Sequence, residues 1–139
     1  MRHEPMAALR RLYSGSRAWQ ASLLLRLALA AIFLSHGITR AVMGRVPPFG
    51  EFLDATGFPF GLALAWGITL FEILAGIALL ANRLVRPVAA LLSLEMLGGI
   101  AMVHISSGWF VVGHGTNGAE YSVLIVAALM AVWLLDGVL

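Results

Sequence analysis

Arg26, His36, Glu72, Glu95 and His104 are ionisable residues that fall inside or at the ends of long apolar stretches of this 139-residue chain. Charge in hydrocarbon is costly, so such positions mark the candidate functional site. A carboxyl group at mid-membrane can carry a proton or neutralise a guanidinium, and pairing restores its charged form. The sequence predicts that Arg26 and Glu72 form such a pair, with Glu95 available to extend a proton path. The competing structural role is interhelical glue, which intramembrane polar pairs commonly supply.

A second group is expected near one membrane surface. His36 and Arg40 are four residues apart and share a helix face. His104 ends a later apolar stretch, Glu120 begins the last one, and Trp109 and Tyr121 lie close by in sequence. Imidazole and guanidinium donors walled by aromatics suit the carbonyls of a quinone headgroup, and a carboxylate could relay protons. Each residue also has a plainer role. Arg40 can snorkel to lipid headgroups, Glu120 can cap a helix, and Trp109 and Tyr121 can belong to an aromatic belt. His36, His104, His114 and Glu120 include usual metal ligands, but their spacing matches no closed metal motif, so no metal site is assigned and b-type haem is disfavoured.

The elements that must position these groups are membrane helices. The chain is 60% hydrophobic and 12% charged, with a mean hydropathy of +0.92. That composition excludes an ordinary soluble domain. Apolar runs over 19–39, 58–81, 87–105 and 118–139 are each near the ~20 residues that cross ~30 Å of hydrocarbon. The pattern predicts an all-α membrane protein, a four-transmembrane-helix bundle over 19–139 preceded by a basic interfacial segment over 1–18. Period-two alternation, the mark of a barrel, is missing. Pro59 and Pro87 are expected in first helical turns, and Asn117 with Glu120 resembles a capping box.

All nine basic residues are arginine. Arg2, Arg10, Arg11 and Arg17 precede the first span and Arg83 and Arg86 occupy the turn between the second and third, against Arg40 and Arg45 in the first loop. By the positive-inside rule both termini are cytoplasmic. The basic N-terminus suits anionic lipid and not nucleic acid; the first span is read as retained, since no convincing cleavage site follows it. The chain has no cysteine, which excludes thiol relays, iron–sulfur clusters and covalent c-type haem. Phosphate-binding loops, nucleophile elbows and H-E-x-x-H are also missing.

Counting from the helix ends puts Glu72 and Glu95 near mid-membrane. Gly76 follows Glu72 by four residues, and Gly98 and Gly99 follow Glu95 by three and four, so close helix approach is expected beside both carboxyls. His104 lies nine residues beyond Glu95, which at ~100° per residue predicts opposite faces of one α-helix. If His104 faces the bundle, Glu95 faces lipid or a partner.

In order along the chain, Arg26, His36-Gly37 with Arg40, Glu72 with Gly76, Arg86-Pro87, Met96, His104, Gly108-Trp109-Phe110 and Gly118-Ala119-Glu120-Tyr121 form a pattern that resembles the DoxX-like family of small membrane proteins. The resemblance covers about residues 22 to 136. It implies a four-helix membrane bundle associated with quinone-linked redox, similar in one branch to the small subunit of thiosulfate:quinone oxidoreductase, and in others to proteins linked with catechol or quinone resistance or with membrane oxidoreductase complexes. Arg40 stands where the family commonly has lysine, and Glu95 where an apolar residue is expected.

The sequence thus points to a bacterial-type inner-membrane protein, the membrane subunit or accessory of a quinone-linked oxidoreductase system. The headgroup is expected near His36, Arg40, His104 and Glu120. Partners would be the lipid bilayer, quinone, other oxidoreductase subunits, or a second copy of the chain. The competing classes are a non-enzymatic anchor or assembly factor and a proton-coupled small-solute carrier, for which four short helices leave little room.

Overall fold

The computed structural model describes residues 4–136, with side chains from residue 17 onward. Five helices follow in order, α1 (Glu4–Val42), α2 (Val46–Ala55), α3 (Gly61–Leu80), α4 (Val85–Gly99) and α5 (Glu120–Leu135). A π-helical turn, Ile100–His104, and a 3-10 turn, Ile105–Ser107, prolong α4. No strand occurs among the described residues.

Among the described residues three segments are long and apolar enough to cross a membrane: Arg17–Val42, Gly61–Leu80 and Val85–Ser107. The fourth apolar helix, α5, has 16 residues, or about 24 Å at the α-helical rise. Residues 4–16 continue α1 as helix, while the side chains of Arg2, Arg10 and Arg11 lie outside the described residues.

Burial follows from this solvent. Leu70, Leu74 and Ile77 point away from the bundle and are each more than half exposed, a pattern that suits hydrocarbon and would be a liability in water. The core lies where α1, α3, α4 and α5 converge and includes Leu29, Phe33, Leu79, Leu92 and Leu129. Small residues bring α1 and α3 together. A Cβ on Gly37 would sit 2.8 Å from Ile73 Cγ1, and one on Gly76 would sit 2.6 Å from Leu34 Cγ. The closeness expected beside Gly76 is therefore present. Beside Glu95 it is not, because a Cβ on Gly98 would meet only Met102 at 3.9 Å and one on Gly99 would meet nothing within 4 Å.

Helix α2 interrupts what reads in the sequence as a loop. Pro47 and Pro48 open it, where their missing N–H groups cost nothing, and Gly57, at φ +96°, follows it. Its buried Val46 and Leu53 pack on Ala65 of α3, and the Asp54 carboxylate accepts a 2.8 Å bond from the Gly61 N–H at the start of α3. Pro59 consequently stands outside α3, in the connecting turn, whereas Pro87 does lie in the first turn of α4.

The capping box expected at α5 does not form. The helix starts at Glu120, and its N-cap is Ala119, with no side-chain cap bond. Asn117 is left-handed at φ +60°, and the Glu120 carboxylate reaches back to accept the Val111 N–H at 2.8 Å. It pins the 108–119 loop and does not cap its own helix.

Candidate functional site

The antiparallel register of α1 and α3 decides which arginine meets Glu72. Gly37 lies against Thr69, Glu72 and Ile73, and Gly76 against Ala30 and Leu34. Residue 36 of α1 is thus about level with Glu72, and Arg26 is ten residues, or about 15 Å, farther along the axis. The expected Arg26–Glu72 pair is therefore not formed. Arg40, one turn from that level, turns inward and takes Glu72 instead.

This ion pair is bidentate. Arg40 Nη1 donates to Glu72 Oε2 at 2.6 Å and Nη2 to Oε1 at 3.1 Å, the fork geometry that makes guanidinium–carboxylate pairs strong. Nη1 also donates to Thr69 Oγ1 at 3.1 Å, and the guanidinium lies 4.8 Å from the Phe49 ring centroid, within cation–π range. Thr69 in turn donates to the Ala65 carbonyl at 2.7 Å. Sequence reasoning missed Thr69 and the α2 aromatics. The available signals were the helical spacing of Thr69 with Glu72 and the Pro47-Pro48…Gly57 bracket around an apolar segment.

Arg26 is satisfied differently. It is buried, and its Nη1 lies 3.5 Å from the Leu79 carbonyl, near the C-terminal end of α3, where unpaired carbonyls and the helix dipole favour a cation. Its Nε has no partner. At the same end of the bundle Arg86 donates to the Trp133 carbonyl at 3.4 Å and lies 5.0 Å from the centroid of that ring.

Glu95 faces inward, toward Glu72 and Arg40. The opposite-face expectation for Glu95 and His104 assumed an unbroken α-helix. The π turn at Ile100–His104 intervenes between them. A π turn rotates less per residue than an α turn, and such bulges recur at functional sites. Its effect is to bring both side chains to one cavity.

That cavity has a volume of about 490 Å³. Apolar groups make most of its wall, with Phe49, Phe52 and Phe58 from the α2 region, Ile68 from α3 and Met96 and Met102 from α4 and its extension. Its polar groups are His36, Arg40, Glu72, Glu95, His104, Asn117, Tyr121 and Ser122. His104 Nδ1 lies 2.8 Å from the Asn117 carbonyl. Of the residues singled out from the sequence, His36, Arg40, His104 and Tyr121 line this space together with Glu72 and Glu95. Trp109 does not line it; its carbonyl accepts the Glu120 N–H at 3.0 Å, and its side chain is exposed. Glu120 is committed to Val111. Among the described residues no three His, Asp or Glu side chains gather as a metal ion would require.

The arrangement can hold a ring-sized, mostly apolar molecule whose polar atoms meet a small set of acid–base groups. No curated protein and no solved structure matches the chain. A family model described as DoxX matches residues 21–105. The match takes in Arg26, the His36–Arg40 face, the Glu72 partner, Glu95 and His104 at the far wall of the cavity, and on that match the chain belongs to the DoxX family.

Proposed function

We propose that this DoxX protein is the membrane subunit or accessory of a quinone-linked oxidoreductase system and holds a quinone headgroup in the cavity between α2, α3 and the π turn. The observation that carries the reading is the cavity itself. It has about 490 Å³ of mostly apolar space within the bundle, with His36, Arg40, Glu72, Glu95, His104 and Tyr121 on its wall. In this reading four helices cross a bacterial-type inner membrane, α5 among them, with both termini and the α3–α4 turn cytoplasmic. Arg83 lies in that turn and Arg86 in the first turn of α4, which supports that orientation. The cavity then lies toward the outer leaflet.

A quinone supplies two-electron, two-proton carriage when bound. The chain's own groups hold and surround it. The aromatic and aliphatic wall takes the ring, the Arg40–Glu72 pair fixes α1 against α3 beside it, and His36, His104 and Glu95 offer hydrogen-bonding positions that can hold a proton. The test is equilibrium binding of a short-chain quinone to the protein in nanodiscs. The wild type is expected to bind, and His36→Ala or His104→Ala to weaken binding about tenfold with the fold retained; no binding by the wild type would overturn the reading.

A further inference from the structure

We infer that the seam between α3 and α4 is a doorway from the cavity into the bilayer, and that the ligand is a membrane-borne ring whose hydrocarbon tail leaves past Gly98 and Gly99. This names the ligand class of the proposed quinone site and rests on it.

The helices around the cavity do not meet equally. α1 runs in contact with α3 and α4 with α5, α1 also touches α5, and α3 and α4 meet only sparsely. The turn over 81–84 joins α3 to α4 and holds them together at that end, so the seam widens toward the other. There α3 turns Leu64 and Ile68 to the cavity, four residues apart on one face. The facing side is made by Gly98, Gly99 and Met102. Leu64 and Met102 line the cavity and are also exposed, so its wall continues to the surface of the protein here.

Depth decides what lies outside. Gly98 and Gly99 are nine and eight residues short of Ser107, the end of their span, and so about 12 Å inside it. Ile68 is seven residues beyond Gly61, the start of its own span, or about 10 Å inside. Both sides of the seam therefore open among acyl chains and not among headgroups. Leu94 and Leu97, just before the glycines, are exposed on the same stretch of α4. An opening at this depth suits an apolar chain, because a polar group there would lose its water without a partner.

The cavity is graded in the same direction. His104, Asn117 and Tyr121 stand at the end where the 108–119 loop lies, whereas Leu64, Ile68 and the two glycines leave the seam apolar. A ligand matched to it has a polar ring toward the loop and a tail toward the seam. The side chain nearest the opening is Met102, whose terminal methyl would lie 3.9 Å from a Cβ on Gly98; a flexible thioether can swing aside at little cost. No atom lies within 4 Å of a Cβ on Gly99, so a large side chain there would stand in the doorway.

The test compares two quinones with the same ring, one with a ten-carbon tail and one with a methyl group in its place, binding to the protein in nanodiscs. Concentrations are expressed per lipid, so that partitioning into the bilayer cancels. The wild type is expected to bind both. Gly99→Phe and, separately, Gly98→Phe should weaken the tailed compound about tenfold, the scale of overpacking, and leave the methyl compound within about twofold. Leu94→Phe, on the exposed face of α4, should alter neither. A photoreactive diazirine near the ring end of the tail is expected to label Leu64, Ile68 or Met102 in the wild type, a readout that does not depend on the variants folding. Tailed-compound binding unchanged in both folded glycine variants, equal weakening of the two compounds, or labelling confined to α1 and α5 overturns the doorway and leaves the quinone site standing. Failure of both compounds to bind the wild type overturns the site and the doorway together.

Discussion

Helix α3 is bounded on two sides by glycines that do opposite things. Toward α1, Gly37 and Gly76 sit where a single added carbon would strike a side chain of the other helix, and the two helices run in contact along their length. Toward α4, Gly98 and Gly99 line the cavity, Gly99 with no atom within 4 Å of an added Cβ and Gly98 with only the Met102 side chain at 3.9 Å, and α3 and α4 touch only sparsely. One seam is closed and the other open. Small residues in membrane helices are usually read as closing devices, yet here the same residue type also keeps a cavity from filling. The closed seam fixes the register that brings Arg40 to Glu72, and the open seam leaves the ring-sized volume beside that pair.

The closed seam is the more sensitive of the two. Glu72→Ala leaves the Arg40 guanidinium without its carboxylate beside an apolar wall, and breaking a buried pair in this way typically costs about 3 kcal/mol or more. Unfolding of the variant in mild detergent should show a loss of that size, larger than for Glu72→Gln, which keeps an acceptor. A loss under about 1 kcal/mol would mean the pair is too well hydrated to lock α1 on α3. Gly37→Val tests the same seam by packing alone. The added carbons would press on Ile73 and the Thr69 carbonyl, and overpacking of this kind costs about 2 kcal/mol. The same unfolding measurement reads it, and an unchanged midpoint would show that the helices can part without penalty.

Much of this was legible in the sequence, and the gaps have physical causes. Apolar length announced the membrane helices, and a shared face put His36 and Arg40 together on the cavity wall. Counting inward from helix ends paired Arg26 with Glu72 because it ignored the reach of an arginine at the far end. Register between helices is set by contacts such as those at Gly37 and Gly76, and one sequence does not say which glycines close and which stay open. Helix α2 was hidden because its ten residues are too few for a membrane span. The π turn has no compositional signature, so extrapolating an ideal α-helix from Glu95 to His104 pointed them apart. Glu120 is expected near the site because it begins the last apolar stretch and Trp109 because it is close by in sequence, but the 108–119 loop uses the Glu120 carboxylate and the Trp109 carbonyl for its own hydrogen bonds.

The smallest effect is expected at the open seam, and it sharpens the contrast most directly. Gly99 is in right-handed helical geometry, with φ −61° and ψ −41°, and a Cβ there meets no atom within 4 Å. Gly99→Ala therefore adds no clash. It removes backbone freedom from the unfolded chain and supplies a better helix former, effects that together favour folding by up to about 1 kcal/mol. Unfolding in detergent should show a midpoint equal to or above that of the parent, where Gly37→Val falls below it. If Gly99→Ala instead destabilises the protein, α3 and α4 must close on each other in the membrane, and the space beside Glu95 would not persist there.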